Sequence, residues 1–396
     1  MSSTPATTTD CALFDCVQVN LAVLADRWHG PGTHRALGAV LRFTPRPDAD
    51  GLPTVEPTLA DHLADARRLL GLRVVAERST GPGEPLRPEP GHYVVSDAYH
   101  LPWLPYAGHR HMEHSFLLEG DAHAPVVFDG YHNETPWGSA RPLTRSITAE
   151  ELAAAVPGTA TSIVLSPSDP PPAATAELDL CGGAAVDAYV AAYAEHPDRT
   201  AAFDRLTLQT WLLARSRKLH ARFLDDRDPA GGEARDAHVR AWESLAESVY
   251  VGYRRVARGR PEPTGTFDRL AAQLHADRTA FGTTTGSSAP AGTAPAEVPA
   301  ALREKVAHTV ADVLGTDTAT VLRAGSLADL DRFTSFRVVE IIESLERDLS
   351  VECAADDLVP ENLHHLDGIG RIVHTALRAA PEPVPARVAV RPGGNR

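Results

Sequence analysis

Residues 104–131 read LPYAGHRHMEHSFLLEGDAHAPVVFDGY, and this stretch decides the fold class. Two short runs rich in β-branched and aromatic residues, HSFLLEG and PVVFDGY, flank a polar segment, which predicts a hairpin. His114 stands just ahead of the first run and Asp129 near the end of the second, so a hairpin of this length sets both at one edge of a sheet. GAVLRF, LRVVAE and HYVVSD are similar runs upstream. FDCVQVNLAVLADRW, from Phe14, instead carries Val17, Leu21 and Leu24 at helical spacing. Residues 10–175 therefore read as a mixed α+β part.

Past Pro170-Pro171-Pro172 the strand pattern stops. Residues 176–282 read as amphipathic helices, a helical extension of the same unit. TTTGSSAPAGTAPAEVPA, residues 283–300, has nothing to pack and predicts a flexible linker. Residues 301–380 predict a small all-α domain of three or four helices. In it Phe336, Val339, Ile342 and Leu345 share one helix face. Residues 381–396 predict a disordered tail.

Charge narrows the function classes. The chain carries 52 acidic and 38 basic residues, a net −14, which argues against nucleic-acid partners and anionic membrane surfaces. No apolar run is long enough to span a bilayer, and MSSTPATTTD lacks the features of a signal peptide. Four cysteines in 396 residues are no disulfide framework, so a reducing cytoplasm is the expected compartment.

Three residues suggest nucleophilic chemistry. A thiol opening a helix, as Cys16 is expected to do, has its pKa lowered by the helix dipole. His114 would carry the proton, and Asp129 would hold the imidazole in one tautomer. Other readings stand beside this one. Cys16 can be a small buried hydrophobe, Cys11 competes as nucleophile, and His111 competes with His114 as base. His109 and His111 with His100 or His132 have the look of metal ligands, but no cysteine pair or HExxH pattern supports a metal, and none is expected. The basic runs RSRKLHARF and YRRVARGR read as solvated helix faces or as a dock for an acidic partner, with Arg254, Arg255 and Arg258 foremost.

LADLDRFTSFRVVEIIESLE, from Leu327, and LVPENLHHLDGI, from Leu358, resemble the acyl and peptidyl carrier protein family, a four-helix fold. The resemblance implies 4'-phosphopantetheine on Ser335, placed there by a phosphopantetheinyl transferase. Two positions depart from the family pattern: Thr334 replaces the usual Asp, and Phe336 the usual Leu. The segment's net charge of −6 suits docking on basic patches.

The order Cys16, His114, Asp129 resembles the papain-like cysteine hydrolases. FDCVQVNLAVLA, the 104–131 stretch and WESLAESVYVGYRRVARGR resemble, more closely, the butirosin biosynthesis protein H family of acyltransferases. That resemblance implies Cys16 as nucleophile, His114 as base and Asp129 as orienting carboxylate. The oxyanion-hole Gln common six residues before such a Cys is Asp10 here, which counts against a peptidase and leaves the Cys16 N–H as donor. The expected activity is amide-forming acyl or aminoacyl transfer in secondary metabolism. An adenylating enzyme would load the arm, a separate carrier can take part, and an amine would accept the acyl group. A thioesterase or cyclase, and a non-catalytic carrier platform, are the alternatives.

Overall fold

The computed structural model describes residues 8–48, 50–169, 173–228, 231–282 and 298–379. The Pro170–Pro172 break, most of the expected linker and the 381–396 tail lie outside them. The chain divides into two units, Met1–Ala291 and Gly292–Arg396.

In the first unit, helix α1 (Gln18–His29) precedes strand β1 (Val40–Phe43) and the short strands β2 (Arg46–Pro47) and β3 (Pro53–Thr54). Helix α2 (Leu59–Leu70) leads into β4 (Leu72–Thr80), β5 (His92–Asp97), β6 (Glu113–Gly120) and β7 (Pro125–Asp129). Strands β8 (Asn133–Thr135), β9 (Gly138–Ala140) and β10 (Leu143–Ser146) follow, then α3 (Ala149–Ala155) and β11 (Ala160–Pro167). Six strands form one antiparallel sheet in the order β10, β7, β6, β5, β11, β4.

Helix α1 lies on one face of this sheet. Tyr93 of β5 donates its hydroxyl to the Val17 carbonyl at 2.8 Å. Asn20, fully buried, donates to the Ser115 carbonyl of β6 at 2.9 Å and accepts from the Gly130 N–H at 2.9 Å. Gly130 is small because α1 runs across it: a Cβ there would lie 3.1 Å from Val19 Cγ2. A helix so tied to two strands has its N-terminal end fixed over the mouth of the β6–β7 hairpin.

The helical half begins with a strand, which corrects the expectation of helices alone from 176 onward. Strand β12 (Glu177–Leu180) returns to pair in parallel with β1. Helices α4 (Gly183–Ala194), α5 (Arg199–Asp225), α6 (Gly232–Val256) and α7 (Thr266–Phe281) follow. Phe203, Leu206, Leu213, Trp242, Val249 and Leu270 form their core. The apolar spacing of α5 places a buried Arg217 among these residues. Its guanidinium pairs with buried Asp277 of α7, to which His238 and Trp242 of α6 also bond, at 2.8 and 3.0 Å. Helix α5 also presses on the segment before β1, where a Cβ on Gly38 would stand 2.5 Å from the Leu219 carbonyl oxygen.

The second unit is helical over its described residues: α8 (Ala300–Leu314), α9 (Thr318–Arg323), α10 (Ser335–Leu349), α11 (Pro360–Leu363) and α12 (Leu366–Ala379). Val306, Val310, Val339, Ile342, Leu345, Ile369 and Val373 are buried residues on α8, α10 and α12, and Phe336 is half-buried. Among the described residues of the chain, no helix is long and apolar enough to cross a membrane.

Candidate active site

The site is built where the chain ahead of α1 meets the start of β6. Cys16 donates its thiol to the Glu113 carbonyl at 3.3 Å, and its own carbonyl accepts from the Ser115 hydroxyl at 2.6 Å. The residue between those two partners is His114. Cys16 is thus bonded to both neighbours of His114 but not to its imidazole.

His114 and Asp129 are brought together directly. Leu117 faces Phe128 in the β6–β7 register, so Phe116 lies opposite Asp129, and His114 follows on the same face. His114 Nε2 lies 2.8 Å from Asp129 Oδ2, and both side chains are buried. Asp129 accepts two further bonds, from Trp103 Nε1 to Oδ2 at 3.0 Å and from the Tyr131 N–H to Oδ1 at 2.9 Å. A carboxylate only accepts, so Nε2 is the nitrogen that donates to it, and Nδ1 is the lone-pair nitrogen of the neutral ring. Nδ1 is buried and has no hydrogen-bond partner. The Tyr131 ring stands edge-on to the imidazole at 5.2 Å, and its hydroxyl meets that of Tyr106 at 3.3 Å.

The expectation of a thiol acidified by the helix dipole is overturned. Cys16 precedes the first residue of α1 by two positions, and the helix end is already occupied: Asp15 Oδ1 accepts from the Val17 and Gln18 N–H groups at 2.8 and 2.7 Å. Burial pushes the Cys16 thiol well above its ordinary range, and the nearby carboxylates of Asp15, Glu56 and Asp129 push it further. Glu56 is itself raised, by burial and then by Asp15 and Glu113. Burial therefore favours the protonated thiol, which rests on the Glu113 carbonyl, while the imidazole of the next residue is fixed through Nε2 on Asp129.

The competing residues are engaged elsewhere. His111 Nδ1 pairs with Asp97 at 2.6 Å on the exposed turn before β6 and stacks on Tyr99, while His109 stacks on Trp137. Cys11 is buried in a short 3-10 turn and Asp10 is exposed. Among the described residues, no group of three or more His, Cys, Asp or Glu side chains converges on a metal position. Arg255, one of the three arginines suggested as a dock, is buried and donates to the Pro261 carbonyl at 3.2 Å, so it is no part of a docking surface.

Several residues escape the sequence reading. Asn20 has a signal, a lone amide in an apolar helical run. Asp15 has one too, a capping residue type just ahead of the helix. Trp103 and Tyr131 carry none beyond their nearness to the histidine-rich stretch.

In the second unit, Ser335 is the first residue of α10 and is half-buried, not exposed. The N-cap is Thr334, whose hydroxyl accepts from the Arg337 N–H at 3.3 Å. The capping role that a Ser ahead of a helix can fill thus falls to its neighbour.

No family model matches the chain, and no curated protein matches it.

Proposed function

We propose that the chain is a carrier-dependent acyltransferase of papain-like type in its first unit, with its own four-helix acyl or peptidyl carrier in the second. The observation that carries the enzymatic half is the His114 imidazole, held through Nε2 on Asp129 with Nδ1 unpartnered, on a strand whose two adjoining residues bond Cys16. The carrier half rests on the resemblance around Ser335 and on the cap supplied by Thr334.

Ser335 fits an attached phosphopantetheine, because the N-terminus of the 15-residue α10 favours a phosphodiester and Thr334 provides the cap. That arm, when bound, supplies the thiol on which an acyl group is presented as a thioester. In this reading Cys16 releases the Glu113 carbonyl, and His114 takes the thiol proton on Nδ1. The Cys16 sulfur attacks the acyl carbonyl, a C–S bond forms, and the departing thiol leaves with the proton from His114. An amine then attacks acyl-Cys16 and gives its proton to His114, and the C–S bond breaks as the amide forms. The high Cys16 pKa is consistent with proton transfer in concert with attack rather than a resting thiolate. Adenylation of the acyl group belongs to a separate loading enzyme, a second carrier can serve as donor or acceptor, and the cytoplasm suits four reduced cysteines.

The burial of Cys16 and its raised pKa favour a second reading, a non-catalytic carrier platform. Intact mass of the pantetheinylated chain, incubated with a loading enzyme and a panel of acids, separates the two. Acyl groups on both Ser335 and Cys16, with amide formation lost in Cys16→Ala, support the enzyme. Acyl on Ser335 alone, with product unchanged in Cys16→Ala, supports the platform. Release of free acid or a cyclic product without an amine marks a thioesterase or cyclase.

A further inference from the structure

We infer that Arg215, on α5 of the helical half, is a positioning residue that registers the Cys16 loop against the chain that follows Asp129. Its Nη1 donates to the Ala12 and Phe14 carbonyls, at 2.9 and 2.5 Å, two to four residues before Cys16. Its Nη2 donates to the His132 carbonyl at 2.9 Å and to Asn133 Oδ1 at 3.2 Å, just beyond Tyr131. The guanidinium lies over the Trp211 ring at 4.2 Å, and Trp211 Nε1 also donates to Asn133 Oδ1, at 3.3 Å. One planar cation therefore bridges four acceptors on two separate chain segments, one leading into the nucleophile and one leading out of the orienting carboxylate. A rigid fork is suited to this and a flexible ammonium is not.

The same cation sits in the field of the site. Burial pulls Arg215 down, while Tyr131, Asp15, Tyr106 and Cys16 act to keep it charged. The charged groups acting on Cys16 are the Asp15, Glu56 and Asp129 carboxylates, which raise the thiol, and Arg215 is the guanidinium from α5; Tyr93, Tyr106 and Tyr131 are the titratable hydroxyls coupled to it. Arg110 and Arg46 act on Glu56. Arg215 is thus a counterweight to three carboxylates when Cys16 loses its proton.

The inference rests on reading Cys16 as the reacting thiol, yet its test needs no substrate. The rate of alkylation of Cys16 by iodoacetamide is followed from pH 7 to 10 in the full chain, on the rising limb below the midpoint of the buried thiol, with the site read by peptide mass and Cys16→Ala as the blank. Arg215→Lys, which keeps the charge, is expected to raise the rate severalfold at every pH, because one ammonium cannot hold four acceptors and the buried thiol is less well shielded. Arg215→Gln is expected to react ~tenfold more slowly than the Lys variant, through loss of the charge. Folded Gln and Lys variants with equal rates overturn the electrostatic role. A Lys variant with the wild-type rate overturns the positioning role, and it remains decisive if the Gln variant does not fold. Transfer that survives in Cys16→Ala removes the reading of the thiol instead, whatever the Arg215 profiles show.

Discussion

Replacing Asp129 by Asn removes one oxygen from a group that accepts three bonds. His114 Nε2, Trp103 Nε1 and the Tyr131 N–H all donate to Asp129. If the new amide oxygen stays on Tyr131, the NH2 faces Trp103, an indole that can only donate. His114 can adapt by shifting its proton to Nδ1, but Trp103 is then an orphaned donor. If the amide flips, its NH2 meets the Tyr131 N–H. Either orientation leaves one buried donor unsatisfied, at about 1–3 kcal/mol, and loses the charge on the remaining bonds. Asp129→Asn is expected to destabilise the first unit by about 2–4 kcal/mol. All five tryptophans lie in that unit, so tryptophan fluorescence during urea unfolding reports it alone. On the proposed function, the first orientation also puts a proton on Nδ1, so acylation of Cys16 should fall by ~10⁴. Trp103→Phe should then cost at least about 1 kcal/mol less in the Asp129→Asn background than in the wild type. Unfolding within about 0.5 kcal/mol of wild type, with no coupling to Trp103, would refute the account of Asp129 as a three-donor hub.

Buried His220 donates through Nδ1 to the Gly38 carbonyl at 2.6 Å, and burial pushes its pKa down to about 4. Its folded pKa lies below the unfolded value near 6.5, so stability is intact above about 6.5 and is lost as pH falls toward 4, by roughly 3 kcal/mol. Urea midpoints from pH 7 to 4 should show this loss, and His220→Gln should flatten it. Gly38→Ala should cost about 2 kcal/mol or more in the same assay, because the added methyl meets the α5 backbone at 2.5 Å. In the second unit, Thr334→Ala should lower stability by about 1 kcal/mol, since Thr334 holds the cap. A thermal melt of the variant, read by far-ultraviolet dichroism, would show the loss, and an unchanged melt would refute the cap.

Much of the fold is legible where pattern is local. The runs at β4 to β7 alternate or carry β-branched residues, and α1, α5 and α6 carry apolar residues at helical spacing. Strand β11 escapes such a reading although it lies inside the sheet beside β5. Its core, Thr161 to Val164, merges into a Pro- and Ser-rich stretch that reads as loop. Strand β12 is hidden because a four-residue strand has meaning only through its distant partner. At the site, the pairing of His114 with Asp129 can be read because hairpin register is a local property. The state of Cys16 cannot, because three carboxylates from separate parts of the chain converge on it. Arg215 and Arg217 are concealed in RSRKLHARF, where adjacent basic residues look alike in sequence and the turn of α5 sends them inward beside outward-facing neighbours.

The parallel pairing of β1 with β12 has a consequence for how the first unit comes into being. Val40 waits for Glu177, so the chain must close a loop of roughly 140 residues before this ribbon forms, at an entropic cost of about 4 kcal/mol. During synthesis β1 emerges long before its partner. The antiparallel sheet can assemble in that interval, but the β1–β12 ribbon cannot. Completion of the N-terminal half is therefore deferred until the ribosome has begun the helical half. A chain truncated near residue 175 would lack not only the helices that follow but also the strand with which β1 pairs.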